Sequence, residues 1–64
     1  MSEFKISLKA ARINAGMEQS TVAAALGVQR DTISRWENGK THPKADQLIK
    51  LSELYQIPVE YLKV

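Results

Sequence analysis

Apolar residues in this chain fall into short clusters, separated by joints at Gly16, Gly27, Gly39, Pro43 and Pro58. That punctuation predicts several short helices rather than strands. Ser7 suits an N-cap, with Ile6 before it able to close over Ala11 as a hydrophobic staple. A first helix then places Leu8, Ala11, Arg12 and Ala15 on one face and stops at Gly16. A second covers Gln19 to Leu26 and ends at Gly27. A third runs from Gln29 or Arg30 to Glu37 and ends near Asn38-Gly39.

Beyond a loop over Lys40 to Lys44, the residues Ala45, Leu48, Ile49, Ser52 and Tyr55 recur at i, i+3, i+4, i+7 and i+10. Leu51 and Leu54 widen the stripe of this fourth helix. A short fifth helix is expected from Pro58 through Val59 to Leu62, since proline suits a first turn. The expectation is therefore an all-α bundle of about five short helices forming one domain over residues 1–64. Helices this short depend on packing against one another.

Composition narrows the class without deciding it. In 64 residues there is no cysteine and one histidine, so no disulfide, thiolate metal site or histidine cluster is available. Neither a metal nor a cofactor is expected. Apolar residues at 44% suffice for a compact core. Nine Lys and Arg against seven Asp and Glu leave a net charge of +2, a mild excess whose placement matters more than its size. Met1 to Ala10 lacks the basic start and apolar core of a secretory signal. No apolar run approaches the ~20 residues that span a bilayer. A cytoplasmic protein without membrane contact is the expectation. An enzyme reading is poor, because the single His42 has no carboxylate or hydroxyl partner at a useful spacing. Gly27 and Gly39 do not form a phosphate-cradling motif.

The informative window is Gln19 to Asn38 (QSTVAAALGVQRDTISRWEN). Two helices joined by a tight turn share a miniature core, which imposes positional rules. Gly27 sits where the chain must turn with positive φ. Ala23, one helical turn earlier, is small where the helices approach most closely. Val22, Leu26, Val28, Ile33 and Trp36 fall on the inward face. That register makes Trp36 a core residue rather than a platform for a base.

This window resembles the helix-turn-helix of the phage repressor and Cro family, also called the xenobiotic-response-element type. The resemblance runs from about Ile6 to Leu62. It includes Arg12, Gln19, the Trp36-Glu37-Asn38-Gly39-Lys40 stretch, Pro43 and the Ile57-Pro58-Val59-Glu60-Tyr61-Leu62 ending. It implies a bundle of about five helices, double-stranded DNA as partner and the third helix in the major groove. It also implies an internal ion pair between Arg12 and Glu37. The chain departs from the family at Glu18 and Gln29, where Ser or Thr usually caps a helix, and at Gln56, where glycine often ends one.

Docking of this kind selects the outward face of the third helix. The expected base-reading residues are Gln29, Arg30, Asp31, Ser34 and Arg35. Arginine can bond guanine O6 and N7, and glutamine can bond adenine in the same way. Asp31 either accepts from cytosine N4 or stabilises the helix start. Expected phosphate contacts are Gln19, Asn38, Lys40, Thr41 and Lys44, with His42 left as a solvated loop residue. From Arg30 to Lys44 there are four Lys or Arg and two acids, so positive charge gathers where the duplex would lie. One domain of this size covers few base pairs, so a repressor acting as a homodimer on a pseudo-palindrome is expected, with half-sites ~34–36 Å apart. Ile57, Val59, Tyr61, Leu62 and Val64 offer a two-fold contact, or alternatively Leu62 and Val59 complete the monomer core. A protein-interaction module of the same fold is the competing reading, against which Arg30 and Arg35 on the exposed helix count.

Overall fold

A computed structural model describes residues 4–64; the first three residues of the expected domain lie outside the described ones. The elements run β1 (Ile6–Ser7), α1 (Leu8–Asn14), α2 (Gln19–Leu26), α3 (Arg30–Glu37), α4 (Ala45–Tyr55), a single 3-10 turn (Val59–Tyr61) and β2 (Leu62–Lys63). Among the described residues there are thus four α-helices rather than about five. The segment after Pro58 closes one 3-10 turn, with Tyr61 N–H donating to the Pro58 carbonyl at 2.9 Å. Leu62 then becomes extended, pairs with Ile6 and is buried. Burial of the Leu62 side chain and the bonds of a two-residue parallel ladder, Ile6 with Leu62 and Ser7 with Lys63, displace the fifth helix.

Local chemistry accounts for the helix ends. Ser7 is extended and its hydroxyl accepts from Ala10 N–H at 3.1 Å, which caps α1. Neither Glu18 nor Gln29 forms a side-chain cap bond for α2 or α3. At α4 the Gln47 side chain accepts from Lys44 N–H at 2.8 Å. The Lys44 ammonium has no lone pair to accept a return bond, so only that half of a capping box can form. Gly27 ends α2 at φ 71°, and Val28 N–H donates back to the Ala23 carbonyl at 3.0 Å, turning the chain into α3. Gln56 takes the same left-handed role after α4 at φ 57°.

The core joins Leu8 and Ala11 of α1, Val22 and Ala23 of α2, Ile33 and Trp36 of α3, Leu51 and Tyr55 of α4, and Leu62 of β2. Leu26 and Val28 pack at its edge. The α4 stripe is narrower than its spacing suggests, because Ile49 is 51% exposed and Ala45 is also exposed. The buried face centres on Leu51 and Tyr55, and Ile49 lies about 200° around the helix from Leu51. Val59 and Tyr61 are exposed, with the Phe4 ring edge-on to Tyr61 at 5.8 Å between centroids.

Candidate nucleic-acid interface

The inward face of α3 determines what its outward face can present. Ile33 and Trp36 sit in the core and anchor the helix rotationally. Glu37 anchors its last turn. Arg12 Nε donates to Glu37 Oε2 at 2.6 Å and Arg12 Nη2 to Glu37 Oε1 at 3.2 Å, while Arg12 Nη1 reaches the Met17 carbonyl at 3.0 Å. The two side chains are only 12% and 3% exposed, so the charges are largely withdrawn from water and satisfied by each other. The bond to Glu37 and its negative charge raise the Arg12 pKa further above its ordinary value, outweighing the opposing effect of burial. Helices α1 and α3 are thereby tied across the bundle.

Gln19, at the first position of α2, connects this pair to the surface. Its Nε2 donates to Glu37 Oε1 at 3.0 Å and its Oε1 accepts from Arg30 Nη1 at 2.9 Å. The result is a continuous chain from Arg12 through Glu37 and Gln19 to Arg30 at the exposed start of α3. Arg12, Glu18, Gln19, Ser20 and Arg30 line an open recess beside it. Beside the phosphate contact expected of Gln19, these bonds give it a bridging role that has no local sequence signal. Gln19 and Arg30 are joined across the turn only once α2 and α3 have packed.

The other candidate residues separate by exposure. Gln29, at the cap of α3, and Arg30, Asp31 and Arg35 along it are exposed. Arg35 Nε donates to Asp31 Oδ2 at 2.8 Å, one helical turn away. Ser34 is half-buried and its Oγ accepts from Asn38 Nδ2 at 3.4 Å. Asn38, Lys40, Thr41 and Lys44 are exposed where the chain leaves α3, and so is His42. Gly39, at φ 74°, reverses the chain there, and Lys40 N–H caps the Arg35 carbonyl at 2.9 Å. One side of the molecule therefore carries a polar helix face followed by a basic loop. Among the described residues no group of three His, Cys, Asp or Glu is placed to hold a metal ion, and no helix is long and apolar enough to cross a membrane.

A family model described as helix-turn-helix matches residues 8–62. Among curated proteins, the chain is 38% identical over 55 residues to the HTH-type transcriptional regulator ImmR of Bacillus subtilis (strain 168), covering 86% of this chain and 43% of that protein. It is 32% identical over 60 residues to the HTH-type transcriptional activator BcrR of Enterococcus faecalis, covering 94% of this chain and 29% of that protein. The chain thus spans less than half the length of either relative. No solved structure matches it significantly.

Proposed function

The chain belongs to the helix-turn-helix family, and from that premise we propose that it is the DNA-reading domain of a transcriptional regulator. In this reading α3 enters the major groove of double-stranded DNA. The observation that carries the proposal is the division of α3 into two faces: Ile33 and Trp36 are buried, while Arg30, Asp31 and Arg35 are exposed, as is Gln29 at the cap before them. A helix so anchored presents its polar side chains in a fixed register, which base reading requires. Ser34 joins the set at its half-buried margin. Asn38, Lys40, Thr41 and Lys44 serve as phosphate contacts beyond the end of α3, and Gln19 serves as one beside its start, next to Arg30.

Operator binding as a homodimer follows from the few base pairs that one such helix can cover. Leu62 belongs to the monomer core, so a two-fold contact falls to the exposed Val59, Tyr61 and Val64. Repression follows where the operator overlaps a promoter, since bound protein then excludes the transcription machinery. Activation, the role in the printed name of the Enterococcus relative, requires an additional surface for the transcription machinery.

A gel shift with random-sequence duplex at low and physiological salt tests the proposal. Binding that weakens steeply with salt supports it. Absence of binding even at low salt overturns it in favour of a protein-interaction module.

A further inference from the structure

Asp31 is the one acidic residue on the exposed face of α3, since Glu37 is held internally by Arg12. A carboxylate facing a polyanion opposes binding, so its presence there calls for a compensating role. The geometry supplies one. Asp31 Oδ2 accepts from Arg35 Nε at 2.8 Å, and the side chains are 67% and 59% exposed. Anchoring through Nε leaves the Nη1 and Nη2 edge of the guanidinium free and aimed along the side chain. That edge is a planar two-donor fork, matching the paired O6 and N7 acceptors of guanine.

We infer that Asp31 is a positioning residue: it holds Arg35 so that its free fork reads a guanine in the major groove. This rests on the DNA-reading function proposed above. In water an exposed pair spaced i,i+4 is weak. In a groove from which water is displaced the same pair strengthens, because the local dielectric falls. The carboxylate therefore exchanges general affinity for discrimination. It repels every duplex alike but restricts the Arg35 rotamers to those that suit guanine.

The test is a competition titration with duplexes carrying each of the four base pairs at the Arg35 position, identified by the loss of preference in Arg35→Ala. Asp31→Ala is expected to lower the preference for guanine there about tenfold, while binding to random-sequence DNA rises. Asp31→Glu, which keeps the charge on a longer stem, should retain part of the preference. In an Arg35→Ala background, Asp31→Ala should no longer alter discrimination at that position. Ratios between duplexes are insensitive to the folded fraction, so instability of a variant does not obscure the result. If Asp31→Ala relaxes preference at a different base pair and leaves the Arg35 position intact, Asp31 reads a base itself and the inference fails. If it lowers thermal stability but no preference changes, Asp31 only supports the helix start, and the inference fails again. Arg35→Ala without effect at any base pair would instead overturn the DNA-reading assignment beneath it.

Discussion

Arg30 donates a hydrogen bond to Gln19 at 2.9 Å, and through it the exposed start of α3 is coupled to the buried pair formed by Arg12 and Glu37. Gln19 donates and accepts at once, which an amide can do and a carboxylate cannot. Gln19→Ala breaks both bonds and leaves Glu37 Oε1 with Arg12 Nη2 alone. Stability should fall by about 1 kcal/mol. A urea titration measures the loss, and an unchanged midpoint would remove the bridge from the account.

The buried pair itself is worth more to the fold. Arg12→Ala leaves the Glu37 carboxylate, 3% exposed, without its cation. Removing one partner of such a pair costs ~3–5 kcal/mol, comparable with the entire stability of a domain this small. Circular dichroism should find the variant largely unfolded at 25 °C. Arg12→Met with Glu37→Leu should recover much of the loss, because no charge is then left unpaired. A double variant as unstable as the single one would contradict this.

How much of this was legible in the sequence depends on the range of each interaction. Helices α1 to α4 follow from local spacing, glycine joints and the Ser7 cap, all of which act within a few residues. The fifth helix did not form, because Leu62 is claimed by Ile6 across nearly the whole chain, and two-residue strands carry no period. Ile49 shares the helical spacing of its neighbours, yet packing chose the Leu51 and Tyr55 face. At the candidate interface, the exposure of Gln29, Arg30, Asp31 and Arg35 was readable from the register of α3, whereas Ser34, expected beside them, is half-buried. The bond from Arg30 to Gln19 was not readable, since it depends on the crossing of two helices.

Gln56 ends α4 in a left-handed conformation, φ 57° and ψ 44°, which side chains with a Cβ disfavour. Gln56→Gly relieves roughly 1 kcal/mol of that strain, partly offset by the greater freedom of glycine in the unfolded chain. A small rise in melting temperature is expected. A fall would mean that the Gln56 side chain makes a stabilising contact that outweighs its backbone cost.

Tyr55 couples stability to alkaline pH. Burial, aided by the negative charge of Glu37 and opposed by Arg12, pushes its hydroxyl from the ordinary 10.0 up to about 12. The folded state thus favours the protonated phenol. This contribution is complete below pH 10 and is lost as pH rises towards about 12. Urea midpoints measured at pH 8, 10 and 12 should decline less steeply for Tyr55→Phe than for the wild type. Parallel declines would show that Tyr55 ionisation plays no part.

The central claim is that the outward face of α3 reads DNA sequence, and selection of bound duplexes from a random library tests it most directly. The wild-type chain should enrich a recurrent half-site, repeated on the opposite strand at a fixed spacing. Arg35→Ala should keep the spacing while losing preference at one base pair, a cost of ~1–3 kcal/mol there. A library that emerges without any enriched sequence, or a motif identical for wild type and Arg35→Ala, would contradict the account.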